Sequence, residues 1–284
     1  MADRHITFPA QFTDRQAVQS LPRAKGAATL GVRCSGGRTA IGTLRQAGSS
    51  KLLFPRQDGA EKDAVLINTA GGVTSGDMFD FDGRAETQTH LTLTTQAAER
   101  AYKANGPDPA RIRSRLHVAA GATVHWLPQE TILFDGCCVD RQLSVQVEPG
   151  ATVLLAETLI FGRQAMGETL TSAIFRDRIE IRQGRTPIFV DAFSLAGDVA
   201  TQLNRPFGLA GSGAMTVLAL YGPKAEAALP AMREALPETA GASLVREDLL
   251  VARILASDSF VLRQTLVPIL NTLTDNRLPR PWMI

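Results

Sequence analysis

One short phrase occurs twice and sets the strongest constraint on the fold. Gly121-Ala-Thr-Val124 returns as Gly150-Ala-Thr-Val153, a shift of 29 residues. Each copy runs through apolar residues to a Glu-Thr pair, Glu130-Thr131 in the first and Glu157-Thr158 in the second. Each then reaches an aromatic and a glycine, Phe134-Asp135-Gly136 and Phe161-Gly162. A fainter copy precedes them, where Leu91-Thr-Leu93 leads into Thr95-Gln96-Ala97. A unit of this length cannot bury its apolar face alone, so neighbouring units are expected to stack. Two clear copies fall short of a regular solenoid, and chance similarity competes with the repeat. The expected fold is mainly β, with a stacked-layer, β-helix-like body.

Local patterning agrees. Residues 27–220 are punctuated by glycine and rich in Thr, Val, Leu and Ile, which suits strands. Leu91-Thr-Leu-Thr-Thr95 and Leu143-Ser-Val-Gln-Val147 alternate with period two, as does Arg176-Asp-Arg-Ile-Glu-Ile-Arg182, and the latter two end at Pro149-Gly150 and Gln183-Gly184. Residues 224–274 change character. An alanine-rich stretch at 224–236 predicts one helix, interrupted or started by Pro230. Ser257 or Asp258 can cap a second helix carrying Phe260, Leu262, Leu266, Ile269, Leu270 and Leu273, with a kink at Pro268. Two helices should therefore pack on the β body, followed by an extended tail at 275–284. With 284 residues and 44% hydrophobic content, the whole chain reads as a single domain.

Lys and Arg total 30 and Asp and Glu 28, a net charge of +2. That balance argues against nucleic acid as a partner. No apolar run is long enough to span a membrane, and Met1 to Asp14 lacks the apolar core of a secretory signal. Three cysteines, Cys34 and the adjacent Cys137 and Cys138, make no disulfide framework, so reduced thiols in the cytoplasm are expected.

Catalytic motifs are missing. Asn68-Thr-Ala-Gly-Gly-Val-Thr-Ser-Gly-Asp77 resembles a phosphate loop, but Asp77 follows Gly76 where a lysine is needed. A tight inter-strand turn is the simpler reading. No Gly-x-Ser-x-Gly elbow occurs, and His5, His90, His117 and His125 lack zinc-ligand spacing. Adjacent strand residues point opposite ways, so Cys137 and Cys138 do not chelate one ion. Glu130 and Asp135 lie in an apolar segment and must be solvated, paired or metal-bound. Arg163 and Arg176 are the expected partners if they are structural.

Four phrases in order carry a family resemblance. Leu66-Ile-Asn-Thr-Ala-Gly-Gly-Val-Thr-Ser-Gly-Asp77, Thr94-Thr-Gln-Ala-Ala-Glu-Arg-Ala-Tyr102, Trp126-Leu-Pro-Gln-Glu-Thr-Ile-Leu-Phe-Asp135 and Leu155-Ala-Glu-Thr-Leu-Ile-Phe-Gly-Arg-Gln-Ala-Met-Gly167 together resemble the urease accessory protein family UreD, as does the Pro279-Arg-Pro-Trp282 tail. The resemblance covers most of the chain from about Gly31. It implies a non-enzymatic protein that joins UreF and the GTPase UreG on apo-urease and assists delivery of Ni²⁺, with no tightly bound cofactor. A purely structural scaffold between urease and UreF is the competing reading. A transient nickel path calls for weak, oxygen-rich contacts. The residues expected to supply them are Asp77, Thr94, Glu130, Asp135, Glu157 and Asp191, and the repeat is expected to bring Glu130 and Glu157 together.

Overall fold

The computed structural model describes residues 22–163, 166–206 and 208–283. The reading of Met1 to Asp14, with His5, lies outside them. The two Gly-Ala-Thr-Val copies lie side by side as parallel strands, Thr123 opposite Thr152 and Val124 opposite Val153. Their turns stack as well. Gly121 and Gly150 both have φ near +70° to +80°, a conformation open to glycine at little cost, and Gly121 N donates to Gly150 O at 3.3 Å.

The chain begins with a hairpin, β1 (Lys25–Ser35) and β2 (Arg38–Gly48), and then β3 (Ser50–Leu53). It next winds between two sheets through β4 (Lys62–Asn68), β5 (Met78–Ala85), β6 (His90–Thr95), β7 (Glu99–Ala101), β8 (Ala110–Val118), β9 (Thr123–Leu127), β10 (Thr131–Leu133), β11 (Cys137–Val147), β12 (Thr152–Phe161) and β13 (Ser172–Gln183). Strands β5, β8, β11 and β13 pair in parallel in one sheet, and β4, β6, β9 and β12 in the other. This is the stacked, β-solenoid-like body that the repeat predicts.

Antiparallel strands close it. β14 (Thr186–Asp198) completes a seven-stranded sheet in the order β14-β13-β11-β8-β5-β1-β2. After a short helix α1 (Val199–Leu203), β15 (Ala214–Tyr221) extends the second sheet. Helix α2 (Ala225–Ala235) runs through Pro230. It is followed by a hairpin, β16 (Ala240–Arg246) and β17 (Leu249–Ala256), then by α3 (Ser259–Leu273) and a 3-10 turn, Arg280–Met283.

Three expectations change here. The segment 224–274 is not wholly helical, because β16 and β17 continue the second sheet between the helices. The tail is not extended: its 3-10 turn buries Trp282, whose Nε1 donates to Leu127 O at 2.9 Å. Phe260 is 70% exposed rather than part of the buried stripe of α3, which consists of Leu262, Leu266, Ile269 and Leu270. Asp258 caps α3 by accepting from Val261 N at 2.9 Å. The helix continues as one element through Pro268.

Two apolar clusters fill the space between the sheets. One is built around Leu30, Leu93, Trp126, Leu143 and Leu155, and the other around Leu133, Leu159, Phe161 and Phe175. A third seals α2, α3 and the tail onto the outer side of the second sheet. Each buried Leu or Phe contributes roughly 1.5–3 kcal/mol. Cys137 and Cys138 are buried free thiols and Cys34 is exposed. Burial pushes the Cys137 thiol up to about 12.

Candidate functional site

The turns from β5 to β6, β8 to β9 and β11 to β12 are short and stack at one end of the body. The opposite connections are long. They carry the Asn68–Asp77 segment, β7, β10 and the residues after β12. β10 pairs in parallel with both β7 and the end of β12, forming a small third wall. The four sequence phrases therefore end at the same edge of the body.

A cavity of about 320 Å³ opens between the sheets on this side. Its mouth includes Lys51, Asn68, Gln96 and Glu99, and Phe79, Phe81 and Trp126 form apolar wall. Arg141, Thr131, Gln129 and Glu157 supply its inner polar groups. Gly72 holds part of the mouth together: its φ is +152°, and a Cβ there would lie 2.3 Å from the Tyr102 ring. Asn68 Nδ2 donates to Gly72 O at 3.0 Å and reaches both Glu99 carboxylate oxygens at 3.2 Å. Burial raises the Glu99 carboxyl above its usual range despite the Asn68 bond.

The inner polar group is a buried triad. Arg141 Nε donates to Asp177 Oδ1 at 2.9 Å and Nη2 to Asp177 Oδ2 at 2.5 Å. Nη1 donates to Thr131 Oγ1 at 3.0 Å and lies 2.6 Å from Glu157 Oε2. That last contact is a close ion pair, and Oε2 has no other partner among the described residues. Glu157 Oε1 accepts from Trp126 Nε1 at 2.7 Å. One cation thus faces two carboxylates in the triad, and of its three members Arg141 and Glu157 line the cavity. Burial raises the Glu157 carboxyl, and Asp177 adds to the effect against the pull of Arg141. Gln129 Nε2 is also buried without a hydrogen-bond partner among the described residues.

Of the six residues singled out in the sequence, Glu157 lines this cavity and the others are placed elsewhere. Asp77 is buried in its turn, where Oδ1 accepts from Ala24 N at 2.8 Å and Oδ2 from Thr74 N at 2.9 Å. Positive φ at Gly71, Gly72 and Gly76 bears out the turn reading. Thr94 is buried beside the cavity lining, one residue before Thr95. Glu130 pairs with Arg263 of α3 at 2.8 Å, and Arg263 Nη2 donates to Trp282 O at 3.0 Å. Asp135 accepts from Thr171 N and Ser172 N, each at 2.8 Å. Burial works upward on this carboxyl but is outweighed by those bonds, which hold it below the usual range. Asp191 pairs with Arg253. The partners expected for Glu130 and Asp135 are thus corrected: Arg163 instead pairs with Glu168.

Glu130 and Glu157 are not stacked on each other. Thr131 lies opposite Leu159, a shift of 28, whereas Thr123 lies opposite Thr152, a shift of 29. One extra residue is accommodated in Pro128-Gln129-Glu130, between β9 and β10. Since side chains alternate, a one-residue slip changes the face. Glu157 turns inward to Trp126 and Arg141, and Glu130 turns toward α3.

Arg141 and Asp177 were missed in the sequence. Both occupy the inward phase of an otherwise apolar alternation, Val139-Arg141-Leu143 and Phe175-Asp177-Ile179, and that is the signal that could have found them. A histidine pair was missed as well. His90 Nε2 lies 3.4 Å from His125 Nδ1, and burial pushes His125 down to about 3. No cluster of three or more His, Cys, Asp or Glu side chains suited to hold a metal ion occurs among the described residues. No helix among them is long and apolar enough to cross a membrane.

Comparison with known proteins gives a consistent result. The family model described as UreD urease accessory protein matches residues 24–283. A urease accessory protein UreD from Ruegeria pomeroyi is 53% identical over 246 residues, 87% of this chain and 96% of that protein. The corresponding proteins of Roseobacter denitrificans and Sinorhizobium medicae are 46% and 41% identical, over 93% and 92% of this chain and 96% of each relative.

Proposed function

The chain belongs to the UreD family of urease accessory proteins and so serves urease maturation; from that premise we propose that it works in the cytoplasm with UreF and UreG on apo-urease, assisting passage of Ni²⁺ to the enzyme without catalysing a reaction itself. The observation that carries the nickel part is the cavity between the sheets. Its inner lining includes the Glu157 carboxylate, which shares Arg141 with Asp177 and whose Oε2 has that ion pair as its contact. An oxygen ligand already shared with Arg141 suits brief contact with a hard or borderline cation better than tight retention. Ni²⁺ is cargo in this reading. Among the six residues Glu157 is the first to test. Asp77, Thr94, Glu130, Asp135 and Asp191 stay in the proposed route as second-rank contacts, because their hydrogen bonds and ion pairs already have structural uses.

That same engagement favours the scaffold reading as the alternative. Glu130 anchors α3 and the tail, Asp77 fixes a turn, and Asp135 ties β11's approach to β13. One experiment separates the two. Glu157→Gln is coexpressed with the urease proteins, UreF and UreG, and complex recovery is measured beside urease activation and nickel content. Intact complexes with reduced nickel loading support the route. Intact complexes with full activation remove Glu157 from it and leave the scaffold.

A further inference from the structure

The near-neutral composition conceals a polarised molecule. In the seven-stranded sheet, alternate residues of β1, β5, β8, β11 and β13 point away from the core. β8 turns Arg111, Arg113 and Arg115 outward, and β13 turns Arg176, Arg178 and Arg182 outward. β1 and β5 add Lys25, Arg33 and Arg84. The outward carboxylates on these strands are Asp80 and Asp82 of β5, Asp140 of β11 and Glu180 of β13. Nine cations against four carboxylates leave an excess of five positive charges on one face. The full sequence nets only +2, so the remainder of the chain is net negative.

Shape and pairing add to the charge. Thr29, Gly31 and Ser144 are short, and they floor a groove of about 530 Å³ bordered by Arg84, Arg115 and Arg182. His117 also lines it, and its Nδ1 is buried with no hydrogen-bond partner among the described residues. The four carboxylates are already engaged: Asp80 and Asp82 with Arg115, Asp140 with Arg113, and Glu180 with Arg178 and Arg182. Arg33, Arg84 and Arg111 enter no ion pair among the described residues and are exposed.

We propose that this outward face docks an acidic protein surface, with Arg33, Arg84 and Arg111 as the cations that meet its carboxylates. The interleaved carboxylates decide the class of partner. A polyphosphate backbone laid across the face would meet Asp82 and Glu180 inside the groove, whereas a protein surface can place its own donors opposite them. The outward positions that form the groove carry no Phe, Tyr or Trp on which successive bases could stack. The proposal rests on the maturation reading only for its choice of probes.

The test titrates the full chain against purified apo-urease and against purified UreF, at low and high salt. In the triple variant Arg33→Glu, Arg84→Glu, Arg111→Glu, affinity for one of the two proteins should fall at least about tenfold, and its salt dependence should flatten. The matching triple Lys variant, which keeps the charge, should bind as the wild type does. If the Glu variant folds poorly, the triple Gln variant is read instead, with the same expected direction. Wild-type affinity for both proteins overturns the proposal. So does a loss that the Lys variant shares, or tighter binding of the wild-type chain to a short DNA duplex or phosphatidylserine vesicles than to either protein. Urease activation by the wild-type chain, coexpressed with the urease proteins, is scored separately. Its absence would sink the maturation reading and leave the binding result standing.

Discussion

Arg141→Met removes the cation shared by Asp177 and Glu157 and leaves two carboxylates facing each other in the core. Both are at least 90% buried as side chains. Breaking a buried ion pair by removing one partner costs about 3–5 kcal/mol. At about 2–4 °C per kcal/mol for a chain of this size, the melting temperature should drop by about 6–20 °C. Glu157→Gln behaves differently. It removes the excess charge and leaves Arg141 balanced by Asp177. The amide can still accept from Trp126, but its NH₂ then faces Arg141, a mismatch costing about 1–3 kcal/mol. Loss of the excess charge offsets that cost, so the net change should stay within about 2 kcal/mol. A pH signature accompanies it. The folded-state pKa of Glu157 is raised above the usual 4.5. Between 4.5 and the folded value the native state holds a proton that the unfolded chain has released, so stability falls as pH rises through that window. Glu157→Gln should flatten that limb. Paired thermal melts of the two variants across pH 4 to about 8 decide the matter. If Glu157→Gln costs as much as Arg141→Met, the account of one excess charge is wrong.

Other consequences are simpler to test. Arg263→Ala leaves Glu130, itself only 10% exposed, without its cation and frees the Trp282 carbonyl; α3 and the tail should become sensitive to limited proteolysis, with a stability loss on the order of 3 kcal/mol, and an unchanged digestion pattern would refute the docking role. His125, with its folded pKa lowered from 6.5 to about 3, contributes stability that is present above 6.5 and lost as pH falls toward 3. His125→Asn should reduce that acid-side slope in urea melts, and an identical slope would mean that the group titrates normally. Gly72→Ala forces a side chain into the Tyr102 ring at positive φ and should cost about 1–3 kcal/mol, whereas Gly71→Ala has open space around its Cβ and should cost less by the same melts.

How far the fold could be read in advance depended on which contacts are local. The repeat gave stacked layers because equal spacing makes equivalent residues pair, and period-two alternation assigned strand faces without knowledge of partners. The helices showed through the Asp258 cap and the spacing of Leu262, Leu266, Ile269 and Leu270. β16 and β17 were hidden because Ala240-Gly-Ala-Ser-Leu-Val-Arg246 lies between two helices and resembles their alanine-rich composition. Glu130 and Glu157 were assigned one environment because each follows a Gly-Ala-Thr-Val start, although Glu130 comes nine residues after Gly121 and Glu157 seven after Gly150. The single extra residue at Pro128-Gln129-Glu130 shows only in the backbone register. The triad was beyond reach for a related reason: Arg141 and Asp177 are 36 residues apart and become direct neighbours only through parallel pairing of β11 with β13.

The pleat of that sheet also accounts for the molecule's division of charge. Along β13, Asp177 points inward to Arg141 while Arg176 and Arg178, its neighbours on either side, point outward. Along β11, Arg141 points inward while Asp140 points outward to Arg113. Successive residues of two strands thus serve opposite environments. Inside, two carboxylates share one buried arginine. Outside, arginines outnumber carboxylates and the face stays net positive. Charge on the inner wall is weakly screened because it is buried, while charge on the outer face is screened over about 8–10 Å by salt. Variants at Glu157 should therefore act on cation passage with little response to ionic strength. Variants at Arg33, Arg84 and Arg111 should act on assembly with a strong response. The two roles proposed for this chain are separable by salt because a single layer of strands divides them.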